Sequence, residues 1–173
     1  MTLRILCIIP VLAALACSPS FEADMPEIDV TQRGVKIAGV PEAALAGDVS
    51  MTTSFTYSPS AWAKRLNSDV CVHHVTIAAS GSVPNLDFIQ LARVTAANPA
   101  SAESTTELLN YDRSQAAQSS SNIDASMATP IDITPIWSAD KAVIELDMAG
   151  QLPEQDWTVD VTLSLSGRIT YGS

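Results

Sequence analysis

The strongest constraint on this chain lies near its C-terminal end. Trp157, Val159, Val161, Leu163, Leu165, Ile169 and Tyr171 all fall on odd positions, and Gly167 completes the series. The even positions hold Thr158, Asp160, Thr162, Ser164, Ser166, Arg168 and Thr170. A period of two places every apolar side chain on one face of a β-strand, whereas a helix would scatter them around its surface. At roughly 3.3 Å per residue the strand would run about 50 Å if straight. It is therefore expected to bend, with Gly167 as the bulge or break. A strand apolar on one face demands a second layer to cover it.

Shorter segments repeat the pattern. Val49, Met51, Thr53, Phe55 and Tyr57 alternate with Ser50, Thr52, Ser54 and Thr56, and Ala142, Ile144, Leu146 and Met148 form another series. Gly34 to Val40 and Leu86 to Ala96 are further strand candidates. Asp69 to Ala79 reads as apolar on both faces, with Val70 and Val72 on one and Cys71, Val75 and Ile77 on the other. That pattern predicts a central strand covered on both sides. Helical signals are weak, with one or two turns at Pro59 to Leu66. Ser101 to Met127 is rich in Ser, Ala and Gln and reads as a loop with a short helix around Thr105 to Tyr111. A loop of that length in a compact domain is expected to be mobile or functional. The fold class is therefore all-β, an antiparallel β-sandwich of the immunoglobulin-like class. It is expected to occupy residues 27–173, with a long loop at about 98–129.

The first residues carry a different message. Arg4 precedes a nearly unbroken apolar run from Ile5 to Ala16. That run is shorter than the roughly 20 residues a membrane-spanning helix needs. A basic residue, a short apolar stretch and small exit residues make a secretory signal. It ends Leu12-Ala13-Ala14-Leu15-Ala16-Cys17, which resembles the lipobox of bacterial lipoproteins. The resemblance implies that residues 1–16 are removed and that Cys17 is thioether-linked to diacylglycerol, its new amine often acylated, for example with palmitate. It also implies a membrane partner reached through lipid, and Ser18 implies the outer membrane. Ala14 stands where the family usually has Leu, and Ala14-Leu15-Ala16 equally fits an ordinary A-x-A cleavage site. A soluble secreted or periplasmic form therefore stays open. Residues 17–26, rich in Pro, Ser and acids, read as a flexible tether.

Composition supports export and excludes some partners. The chain has 19 acidic against 9 basic side chains, a net charge of −10, and Arg4 leaves with the signal. Such a charge repels nucleic acid, which is bound by neutralising phosphates, and disfavours polybasic docking to anionic lipid. Of three cysteines, Cys7 lies in the signal and Cys17 carries the lipid, so Cys71 has no intrachain partner. Its setting, Val70-Cys71-Val72, predicts burial, which protects an unpaired thiol in an oxidising compartment.

A second resemblance covers roughly the last hundred residues. Val75-Thr76-Ile77, Asn85-Leu86-Asp87-Phe88-Ile89 and Leu91-Ala92-Arg93-Val94 are followed by Met148-Ala149-Gly150-Gln151-Leu152-Pro153 and the strand from Trp157. This order is similar to that of uncharacterised myxobacterial-type predicted lipoproteins. It implies an all-β envelope domain and brings no activity with it.

The chain is sparse in chemistry. His73 and His74 are its two histidines, and as strand neighbours they are expected to point to opposite faces. Cys71 and His73 share a face and would make half of a zinc or copper site if other strands supplied the remaining ligands; the plainer reading is a core thiol beside a partly buried imidazole, with no metal. There is no G-x-S-x-G elbow; Ala79-Ser80-Gly81-Ser82-Val83 reads as a turn. No phosphate or dinucleotide loop is present, no calcium-binding run appears among the acids, and no motif implies a cofactor. Of the tryptophans, Trp157 continues the core series, while Trp62, beside a Pro-Ser turn and followed by Lys64 and Arg65, is the candidate ligand-binding aromatic. The expectation is a lipid-anchored cell-envelope β-sandwich with a non-enzymatic structural or binding role, partnered by an envelope protein or polysaccharide. The alternative is a carbohydrate- or ligand-binding surface lipoprotein using the long loop and an exposed tryptophan, a reading that fully buried tryptophans would sink.

Overall fold

The alternating segments form strands in the computed structural model, which describes residues 21–41, 49–57, 67–101, 105–115, 121–137 and 141–171. In order they are β1 (Phe21–Ile37), β2 (Val49–Tyr57), β3 (Asn67–Ser80), β4 (Ile89–Ala97), β5 (Thr105–Asp112), β6 (Asn122–Asp132), the single turn α1 (Thr134–Trp137), β7 (Ala142–Gly150) and β8 (Trp157–Tyr171). They build two four-stranded sheets, β1-β8-β3-β6 and β2-β7-β4-β5. Every pairing is antiparallel. The expected sandwich is present, and its strand order is that of a jelly roll. Each connection crosses between the sheets except β4 to β5.

The core lies between the two inward faces. Trp157, Val159, Val161, Leu163 and Leu165 of β8 are buried together with Val70, Val72, Val75 and Ile77 of β3. Opposite them lie Ile144, Leu146 and Met148 of β7 and Ala92, Val94 and Ala96 of β4. Each large side chain among these contributes about 1.5–3 kcal/mol by leaving water. β8 and β7 are interior strands of their sheets, with one face on the core and one on solvent, which is why their alternation is so regular. Trp157 meets Phe88 edge-on, with centroids 5.0 Å apart and planes at 87°, a favoured aromatic geometry. The turn α1 is capped by Asp132, whose Oδ1 accepts from the Thr134 amide at 2.8 Å. It buries Ile136 and Trp137.

Four expectations are corrected. β3 is not apolar on both faces: it carries a bulge between Val72 and His74, so Val70 and Val72 before it and Val75 and Ile77 after it face the same core. The region 98–129 is not one long loop, because β5 and most of β6 lie within it, and Thr105 to Tyr111 is strand rather than helix. The tether expected at 17–26 does not extend to Pro26, since β1 starts at Phe21 and pairs with β8 from there; residues 17–20 lie outside the described residues. Gly167 is no break: β8 runs through it, and an added Cβ would lie 2.1 Å from the Asp69 carbonyl oxygen. Its glycine admits close backbone approach rather than a bend. The signal 1–16, Cys17 and Trp62 lie outside the described residues. Among the described residues, no helix is long and apolar enough to cross a membrane.

Candidate functional site

Three strands of one sheet lose register at the same level. In β1, Pro26 and Glu27 together stand against Ser166. In β3, His73 is an extra residue between the Val72–Leu165 and His74–Ser164 pairs. In β6, Met127 to Pro130 are looped out between the partners of His74 and Val72. β8, which runs between β1 and β3, stays regular across Ser164 to Ser166. Bulges re-aim side chains and gather beside functional sites. The proline in β1 sits in such a bulge, where its missing N–H costs no ladder bond.

The β3 bulge overturns the expectation that His73 and His74 diverge. An extra residue shifts the alternation by one, so both imidazoles turn to the outward face. There they line an open depression of about 540 Å³ with Glu27, Asp29, Ser126 and Ser164. His73 Nε2 is hydrogen-bonded to Ser166 Oγ. His74 Nδ1 lies 2.8 Å from Ser126 Oγ, and its Nε2 lies 3.4 Å from Asp124 Oδ1. His74 thus bridges Ser126 and Asp124 through its two ring nitrogens. Thr76 Oγ1 also donates to Asp124 Oδ1 at 2.8 Å, and Ser164 Oγ donates to Asp29 Oδ1 at 2.6 Å. One hydrogen bond further along the face, Thr31 and Thr162 hydroxyls meet at 2.9 Å. The result is a shelf of hydroxyls, carboxylates and imidazoles across four strands.

Around the edge of β6 a second depression of about 580 Å³ shares Asp124. It brings half-buried Tyr111 beside Leu91, which is 51% exposed. Asp112 beside them accepts from the Ser114 amide and hydroxyl and from Gln115. Those bonds hold its carboxyl below the usual range, the Ser114 hydroxyl contributing most.

The residues singled out from the sequence fall as follows. Cys71 is half-buried rather than buried, on the outward face with His73. Burial pushes its thiol pKa up, and the carboxylates of Asp132 and Asp69 add to the rise. Cys71 and His73 therefore share a face as expected, but among the described residues no three histidine, cysteine or carboxylate groups are placed to hold a metal ion. Trp137 and Trp157 are in the core at 8% and 2% exposure, so neither can stack on a ligand. Asp124, Ser126 and Asp29 were not picked out from the sequence. The first two lay in the stretch read as a loop, although Ile123, Ala125 and Met127 alternate with them.

No protein-family model and no curated protein matches the chain. Solved structures similar to it include a decameric BFDV capsid protein, 8% identical with a TM-score of 0.40, covering 87% of this chain and 99% of that one. A family 32 carbohydrate-binding module from C. perfringens NanJ, solved with galactose, is 12% identical with a TM-score of 0.31, covering 86% and 99%. The infectious bursal disease virus Gx strain structure is 11% identical with a TM-score of 0.28, covering 98% and 41%. At these values the likeness says nothing about what the shelf does.

Proposed function

We propose that the chain is an exported lipoprotein, of the outer membrane on the Ser18 reading, whose jelly-roll domain binds another envelope component. The observation that carries this reading is position: a lipobox-like Cys17 stands four residues before Phe21, the first residue of β1. Four residues span at most about 14 Å. Lipid on Cys17 would therefore hold the Phe21–Tyr171 end of the sheet close to the headgroups. Each buried acyl CH₂ adds about 0.8 kcal/mol, so two or three chains anchor a protein durably. Ser164 stands seven positions along β8 from Tyr171, about 23 Å, which would present the shelf away from the membrane.

The shelf supports a binding role. It is open, the side chains that line it are of polar types, and several of its groups already hydrogen-bond to one another in rows. A polyhydroxylated polymer or a polar protein surface could exchange for those bonds at little cost, since surface hydrogen bonds are worth about 0.5–1.5 kcal/mol net. The test is capture of envelope components from detergent extracts by the immobilised full chain and by a His74→Ala/Asp124→Ala variant. The proposal expects a component held by the wild type and lost from the variant. Equal recovery by both, or recovery by neither, overturns it.

One observation favours a second reading. Ser126, His74 and Asp124 form a hydroxyl–imidazole–carboxylate row, with the ring nitrogens reversed from those of a serine hydrolase triad: Ser126 is on Nδ1 and Asp124 on Nε2. The Asp124 contact is long at 3.4 Å, and that oxygen also accepts from Thr76. A fluorophosphonate probe decides the matter: covalent labelling of Ser126, abolished by His74→Ala, would establish a hydrolase in place of a binding module.

A further inference from the structure

The two sheets have four edges, β1 and β6 on one and β2 and β5 on the other. Exposed edges invite pairing with another strand, and proteins blunt them with charge, proline or bulges. β1 carries Glu22, Asp24, Glu27, Pro26 and two breaks in register. β5 carries Glu107 and Asp112, with Leu108 as an extra residue. β6 carries Asp124, Asp132 and Pro130 around its looped-out segment. β2 has none of these devices. Its nine residues, Val-Ser-Met-Thr-Thr-Ser-Phe-Thr-Tyr, contain no charge, proline or glycine. It pairs with β7 residue for residue from Val49↔Gly150 to Tyr57↔Ala142 without a break. Among the described residues, its backbone makes no hydrogen bond outside that ladder.

We infer that the edge of β2 away from β7, which no described strand covers, pairs antiparallel with β2 of a second copy of this chain, joining two four-stranded sheets into one of eight. Self-complementarity identifies the occupant. A two-fold axis through Thr53 sets Met51 against Phe55 of the second copy, and sets Thr52 and Ser50 against its Ser54 and Thr56. Apolar faces apolar and hydroxyl faces hydroxyl, the pairings that stabilise a sheet. Charge selects the same strip: a chain of net charge −10 repels itself, and β2 is a nine-residue stretch free of charge. Covering also matches what is left open. Val49, Met51 and Phe55 are only half-buried. Phe55 lines one side of an apolar cavity of about 90 Å³ between the sheets, with Val30, Thr31 and Gln32 of β1. A second copy would close that side. The inference does not depend on the lipid anchor.

The test is sedimentation equilibrium of the full chain in mild detergent with reducing agent, which keeps half-buried Cys71 from cross-linking copies. The wild type is expected to form a dimer. Thr52→Lys/Ser54→Lys places cations around the axis and is expected to weaken the dimer at least tenfold. Because those lysines lower the overall negative charge, general repulsion cannot explain the loss. An unchanged melting profile shows that the variant is folded. If the variant fails to fold, amide exchange of residues 49–57 in the wild type serves instead, slowing at least tenfold from dilute to concentrated protein. A wild type monomeric throughout the micromolar range, a lysine variant that dimerises as well as wild type, or concentration-independent exchange overturns the inference.

Discussion

Trp157 shows how a single residue can carry two opposed contributions. Its ring is 2% exposed and packs edge-on to Phe88, yet among the described residues its Nε1 has no hydrogen-bond partner. A buried donor without an acceptor costs about 1–3 kcal/mol, set against the larger gain from burying the ring. Trp157→Phe keeps part of the apolar area and removes the orphaned donor, so it is expected to cost only about 1–2 kcal/mol. Trp157→Ala is expected to cost about 3–5 kcal/mol. Urea unfolding of both variants checks this, and equal costs would mean that Nε1 is satisfied. At Cys71, burial first and the Asp132 and Asp69 carboxylates second hold the thiol pKa up. Because the thiolate is the nucleophile, the pH midpoint of iodoacetamide alkylation should lie above that of free cysteine. Asp132→Asn should lower the midpoint only part of the way, since burial is the larger cause. A wild-type midpoint at or below the free-thiol value would contradict this account.

Among the elements, β3 is the informative one. Its apolar residues change parity, from Val70 and Val72 to Val75 and Ile77, across the His73–His74 pair. A parity change within one strand is the signature of a bulge, and reading it as two apolar faces misplaced both the histidines and Cys71. Deleting His73 should remove the extra residue while leaving every other side chain on its present face. The deletion is expected to fold with a melting temperature close to wild type. Deleting Val72 instead would turn His73 inward, where an unpaired imidazole is costly, and should abolish cooperative melting. Similar melting of the two deletions would refute the bulge. Gly167→Ala should also be destabilising, because the new Cβ meets the Asp69 carbonyl. β8 and β7 were legible because large apolar and polar side chains alternate in them. β5 was not, because its extra residue Leu108 sets two leucines side by side and breaks the alternation, and β6 was not, because its Ala, Ser and Thr give little contrast between faces. Asp124 and Ser126 of the shelf were hidden for that reason.

For the molecule as a whole, two layers were legible and the connections between them were not. Strand alternation says that a face must be covered. It does not say which strand lies next to which, because pairs such as β1 with β8 join residues more than a hundred positions apart. The shelf depends on those long-range pairings, and its rows run from Asp29 through Ser164 and His74 to Ser126. The proposed placement of the molecule rests instead on the signal-like sequence of residues 1–16 and on the lipobox-like Cys17. Intact-mass spectrometry of the protein recovered from producing bacteria tests that claim most directly. The account predicts the mass of residues 17–173 plus a diacylglyceryl group, with the modification lost in Cys17→Ala. A mature chain starting at Cys17 with a free, unmodified thiol would contradict it.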